Sequence, residues 1–296
     1  MKLPLQKTLF GLVLLLTILP LVPEPLERAI AAGNTGGVDW SAGMIAVVGE
    51  GVAPPEGNAA KRRLLAKRAA MVDGYRKLAE LVEGVEVTSQ TRVKDFEVQS
   101  DDIRTQVAGL IKGARLAGEN LTADGAYEVR LELPLFGEQS LAAVVLSSSL
   151  NNRQLPSPDS PGSSGMITGQ TPHSPGKTKI GAVDQVTGIL VDARQLGASA
   201  AMMPALFDEK GNEFYLGSWP ANQEDLIAQG VVAYSRSLEE ASKLPRLGSA
   251  PLVVRAKRYR GPFHADLVFS QEEAKRFQEA GKACDCLQRL AVAIVL

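Results

Sequence analysis

The sequence predicts an α+β protein built as two small domains, and three observations carry that reading. Across residues 59–82 the apolar side chains recur at three- and four-residue spacing, the period of a helix with one buried face. Across 127–133, Tyr127, Val129, Leu131 and Leu133 alternate with Glu128, Arg130 and Glu132, the period of a strand with one wet face. Between the two halves, residues 147–179 exchange apolar side chains for Ser, Pro, Gly and Asn. Such a segment cannot bury enough surface to offset its ordering entropy, so it reads as a flexible linker.

The first domain, 43–146, reads as β-α-β-α-β with the helices packed on an antiparallel or mixed sheet. Met44 to Val48 form a short buried strand that ends at Gly49-Glu50-Gly51, and a turn through Pro54, Pro55 and Asn58 leads into the first helix. Its apolar stripe is Leu64, Leu65, Ala69, Met71, Tyr75, Leu78, Leu81 and Val82, and Gly84 stops it as a C′ residue. The β-branched stretch 85–93 reads as a strand. Ser100 and Asp101 supply an N-cap for a second helix with Ile103, Val107, Leu110, Ile111 and Ala114 on its buried side. Asp124-Gly125, between two extended runs, is a hairpin signal.

The second domain, 180–296, reads as a mixed α+β unit ending in a buried strand. Extended runs are expected at 187–193, at 203–207 and 213–215 around the turn-rich 208–212, and at 251–259. Ser270 with Glu273 forms a capping box that opens a helix to about Ala280. The apolar terminal run 289–296 calls for a central place in a sheet.

The amino terminus has the order of an export signal, 1–32: Lys2 and Lys7, an apolar run from Thr8 to Val22, then Ala29-Ile30-Ala31-Ala32. Cleavage is expected near Ala31-Ala32, leaving a periplasmic or secreted chain without a stable membrane span, because the apolar run is shorter than the ~20 residues that cross a bilayer. A formal net charge of −1 and only 5% aromatic residues speak against nucleic-acid binding. Nothing in the sequence calls for a cofactor or metal.

Several residues invite a chemical reading. Gly49 and Gly51 lack the third glycine of a nucleotide fingerprint and read as turn formers. Lys61, Arg62, Arg63, Lys67 and Arg68 form a candidate anion patch on the first helix, against the plainer reading of a solvated face. Arg255, Lys257, Arg258 and Arg260 form a second basic cluster. Cys284 and Cys286 are the only cysteines; in an oxidising compartment they form a candidate disulfide, internal or between chains. Of the two histidines, His173 lies in the linker, where no acid or base is held in position, and His264 has no serine-nucleophile motif around it.

Gly49-x-Gly51, then Ala66-Lys-Arg-Ala-Ala-Met-Val-Asp-Gly-Tyr-Arg-Lys-Leu-Ala-Glu-Leu-Val-Glu-Gly-Val85, then Thr88-x-x-Thr91-x-Val93-x-Asp95-Phe96 carry a resemblance over residues 43–136. This part of the chain resembles the twenty-kilodalton outer-membrane lipoprotein family and the similar N-terminal domain of flagellar assembly protein T. The chain departs from the pattern in two ways. It has no cysteine for lipid attachment near the signal, and Gly74 stands where alanine is common. The resemblance implies an α+β domain of the bacterial envelope, often tied to flagella or surface assembly, and no catalytic residues.

The expected function is therefore non-enzymatic: assembly or stabilisation of a surface or flagellum-like structure through contacts with an envelope or flagellar-type protein partner. The alternative is a periplasmic binding module for an anionic envelope polymer or lipid headgroup. A hydrolase built on carboxylates would require a deep pocket holding two adjacent acids with shifted pKa values.

Overall fold

A computed structural model describes residues 36–151, 186–215 and 222–296, and Thr35–Leu296 forms one compact unit. Residues 1–35, where the export signal is expected, and 152–185, which include His173 and most of the expected linker, lie outside the described residues. The α+β class holds: an antiparallel sheet with helices comes first, and parallel and mixed sheets follow.

In the first half, strands β1 (Gly36–Asp39), β2 (Met44–Gly51), β3 (Arg115–Leu121) and β4 (Tyr127–Pro134) form an antiparallel sheet in the order β1-β2-β4-β3. Helix α1 (Ala59–Glu83) lies across one face of that sheet. It starts where the Asn58 side chain accepts the Lys61 N–H at 2.8 Å. Its fully buried line is Ala66, Ala70, Gly74, Leu78 and Val82, four residues apart throughout. Of the expected stripe Leu78 and Val82 are buried, Met71, Tyr75 and Leu81 flank the core, Leu65 is half-buried and Leu64 is solvent-exposed.

Small residues win that line because the helix backbone lies directly on the strand. A Cβ added to Gly49 would fall 2.2 Å from the Ala70 carbonyl oxygen and 2.4 Å from the Gly74 nitrogen. One added to Gly51 would fall 2.3 Å from the Ala66 carbonyl oxygen. Gly49 and Gly51 are therefore members of β2 that admit a helix, and the reading as turn formers is corrected.

The β-branched stretch 85–93 is not a strand. It bends back on itself with a single bridge, Glu86 to Arg92, and Val93 already opens α2 (Val93–Gln99). The reason lies far away in sequence: the Glu86 and Val87 carbonyls accept the N–H groups of Met202 (2.9 Å) and Met203 (2.8 Å). The main-chain groups a sheet would use are taken by the second half. Helix α3 (Asp101–Lys112) follows, capped by Ser100, which accepts the Ile103 N–H at 3.3 Å. Helix α4 (Leu141–Asn151) buries Leu141, Ala142, Val145 and Leu146 and carries on past Ser147, where the composition changes.

The second half supplies β5 (Gly188–Asp192), β6 (Leu206–Asp208), β7 (Glu213–Tyr215), α5 (Gln223–Gln229), β8 (Ala233–Ser235), α6 (Leu238–Ser242), β9 (Pro251–Arg255), β10 (Arg258–Arg260), β11 (Asp266–Phe269), α7 (Gln271–Cys284) and β12 (Val292–Val295). A parallel sheet runs β8-β12-β5-β9, and a mixed sheet runs β10-β11-β6-β7. Terminal strand β12 is buried at every position between β8 and β5. The extended run 251–259 splits into β9 and β10, which belong to different sheets. Ser270 accepts the Glu273 N–H at 3.2 Å and opens α7, whose Phe277 meets Phe214 and Tyr215 edge-on.

One continuous apolar core joins the halves, running from Ile45 and Leu131 through Met202 and Phe269 to Ile294. Among the described residues no helix is long and apolar enough to cross a membrane.

Candidate functional site

The amino-terminal end of α1 has no sheet beneath it. Strand β2 stops at Gly51, which lies against Ala66, the first buried residue of the helix. Everything before Ala66 overhangs, and each residue from 54 to 64 is exposed. Lys61, Leu64, Arg68 and Val72 recur at three- and four-residue steps and share one outward stripe. Its two apolar members stay in water, Leu64 at 64% and Val72 at 69% of full exposure.

Within α1 the overhanging turn carries Lys61, Arg62 and Arg63 and no acid, while Glu56 lies in the loop before it. Ion pairs along α1 engage Lys67, Arg76 and Lys77. Among the described residues none engages Lys61, Arg62, Arg63 or Arg68. Lys67 is drawn aside to Glu119 on β3, a hydrogen bond that raises its pKa and lowers that of Glu119. The first turn of α1 contains no acidic residue. Positive side chains near a helix amino terminus add to the positive end of the helix dipole, an arrangement that disfavours the free helix and favours an anion placed beside it. Four of the five candidate patch residues thus remain available and the fifth is spent within the fold.

The other sequence-flagged residues are dispersed. Lys257 pairs with Glu209 at 2.5 Å, the Arg260 guanidinium lies 4.4 Å over the Phe207 ring, and Arg255 turns toward Asp192. His264 stacks on Tyr259 with ring centroids 4.0 Å apart. Cys284 and Cys286 are joined by a disulfide at the end of α7, with Cα atoms 5.0 Å apart and Asp285 between them in the left-handed region. Cys286 is fully buried, so the bridge pins the helix end to the core.

Sequence reasoning missed Leu64 and Val72 as surface residues. The available signal was the line of small residues at 66, 70 and 74, which competes with the larger apolar ones for the buried face.

Residues 188–296, a little over a third of the chain, match the family model described as the second domain of Treponema pallidum Tp0624. No curated protein matches the chain.

Proposed function

We propose that this chain is an exported, non-enzymatic envelope protein that acts in the assembly or stabilisation of a surface or flagellum-like structure. It does so by docking the overhanging end of α1 against an acidic face of a partner protein. One observation carries the reading: Lys61, Arg62, Arg63 and Arg68 stand without ion-pair partners among the described residues, around exposed Leu64 and Val72, on a helix end its own fold does not use. Cations set against their own helix dipole weaken the isolated fold, so an external anion accounts for them better than folding does. The export-signal order of 1–32 and the family resemblance over 43–136 support the envelope setting, and the match to a Treponema pallidum domain agrees with a bacterial origin.

An anionic envelope polymer or lipid headgroup is the second reading, favoured by the unpaired charges alone. The apolar pair Leu64 and Val72 favours protein over a polymer, because a polyanion gives such side chains nothing to bury against. The test is capture of partners from crosslinked envelopes with the mature chain and two variants. Lys61→Glu/Arg62→Glu/Arg63→Glu/Arg68→Glu should lose the partner, and Leu64→Ser/Val72→Ser should weaken its recovery. Binding that vanishes in salt yet tolerates the serine pair selects the polymer reading. Recovery unchanged in both variants overturns both readings.

A further inference from the structure

The parallel sheet of the second half ends in a polar crevice that contains Arg255 of the second basic cluster. Asp192 and Arg255 are the last residues of β5 and β9 and face one another in register. Beyond them Arg194, Gln195, Leu196 and Ala256 complete the lining of a cavity of about 380 Å³. In open parallel sheets, ligands gather outside the carboxyl ends of the strands, where loops diverge and leave a crevice.

The side chains there are arranged around one buried carboxylate. Arg194 grips Asp192 with two parallel bonds, Nε to Oδ1 at 2.9 Å and Nη2 to Oδ2 at 3.0 Å. Arg255 approaches the same carboxylate only to 3.9 Å, and its side chain remains 80% exposed. Two guanidinium groups therefore share one acid in the crevice. The nearby Glu273 is already committed, accepting the Arg255 N–H at 3.2 Å and the Arg276 guanidinium at 2.7 Å. Asp192 acts as an orienting group: it fixes the plane of Arg194 through two hydrogen bonds and holds Arg255 only by a longer ion pair at 3.9 Å.

The backbone adds a further observation. Gln195 sits in this lining with φ 71°, a left-handed conformation that costs a non-glycine residue free energy. Glycine would adopt it freely, and Gly197 does so two residues later at φ 70°.

We propose that this crevice is an oxyanion site, taking the carboxylate or phosphate group of a small ligand on the guanidinium fork of Arg255, with the Nη1 side of Arg194, the side not bonded to Asp192, as a second donor. A guanidinium presents paired donors in a plane that matches either anion, and a charge-assisted bidentate pair is stronger than a neutral hydrogen bond. Leu196 and buried Ala256 supply an apolar wall for the rest of the ligand. The site is separate from the α1 overhang, and its existence does not depend on the docking proposed above.

The test is nuclear magnetic resonance of the arginine Nε–Hε groups in the mature chain, titrated in separate arms with inorganic phosphate and with glutarate. Saturable shifts at Arg194 and Arg255 are expected in at least one arm, with half-saturation in the millimolar range. Phosphate alone saturating assigns a phosphate-bearing ligand, glutarate alone a carboxylate-bearing one, and both the shared chemistry. Arg255→Ala, at an exposed position, should fold normally and weaken binding by about tenfold or more. The charge-reversed α1 variant should bind as the parent does. The absence of saturation in both arms overturns the proposal, as does unchanged affinity in Arg255→Ala or an equal loss in the α1 variant.

Discussion

The Ser89 hydroxyl donates a hydrogen bond to Oδ2 of Asp266, 177 positions away in sequence, while the Ala205 N–H donates to Oδ1 of the same carboxylate at 2.9 Å. Both residues are buried. Around them the Phe263 N–H donates to the Ser89 carbonyl at 3.1 Å, and the Arg92 guanidinium lies 4.1 Å over the Phe263 ring. The bend 85–92 is thereby held on both sides by the second half, and with the shared core it makes the halves one cooperative body.

Ser89→Ala leaves one buried oxygen of Asp266 without its donor. The expected cost is about 1–3 kcal/mol, read by urea denaturation as one transition at a lower midpoint. Two separated transitions in the parent chain would show instead that the halves unfold independently.

The contact of α1 with β2 predicts an ordering among glycine variants. Gly49→Ala and Gly51→Ala place a methyl group against helix backbone, which cannot move aside, and each should cost about 3 kcal/mol or more. Gly74→Ala meets Leu131 Cδ1 at 2.9 Å, the end of a side chain that can shift. Because alanine also favours a helix over glycine by about 1 kcal/mol, that variant should lie close to the parent in thermal midpoint. Gly74→Ala as damaging as Gly49→Ala would contradict the packing described.

Two acids should respond to pH in opposite directions. Burial works against the Asp73 charge, yet bonds from Lys77, the Glu50 N–H and Arg76 outweigh it and hold the carboxyl down to about 2. The unfolded chain, at 3.8, binds that proton more readily, so this stabilisation is complete above 3.8 and is lost as pH falls toward 2. Asp73→Asn should flatten the acid limb of the stability profile, removing roughly 1–2 kcal/mol at pH 5.

Burial raises the Asp266 carboxyl despite the opposing bonds from Ser89 and Ala205. Here the folded chain holds the proton more tightly, so stability falls as pH rises from 3.8 through the raised value. Asp266→Asn should abolish that slope in denaturation measured at successive pH values. A slope that persists unchanged would assign it to Glu86 and Glu97, whose carboxyls burial also raises.

Much of this architecture is legible in local pattern. The extended run of β4 and the caps at Asn58, Ser100 and Ser270 each state a local preference that the tertiary structure keeps, although most of the expected wet face of β4 is buried. What was not legible depends on partners remote in sequence. The stretch 85–93 has strand chemistry, but Met202 and Met203 take its carbonyls. Gly49 and Gly51 look like turn residues until α1 is laid on them. Arg130 and Glu132 alternate as a wet face should, yet both are buried, with Glu132 paired to Arg115 and Arg130. The α1 overhang is visible only as a difference in length, since the sheet stops before the helix does. The Asp192–Arg255 crevice requires the parallel register of β5 and β9, which no local pattern encodes.

Docking at the free end of α1 can be read with a photo-crosslinking side chain placed at Leu64 in intact cells, with exposed Glu279 on α7 as the control position. An adduct with a single envelope protein is expected at position 64, absent at 279 and lost when Lys61, Arg62, Arg63 and Arg68 are reversed to glutamate. Equal labelling at both positions, or an adduct at 64 that survives the charge reversal, would contradict it.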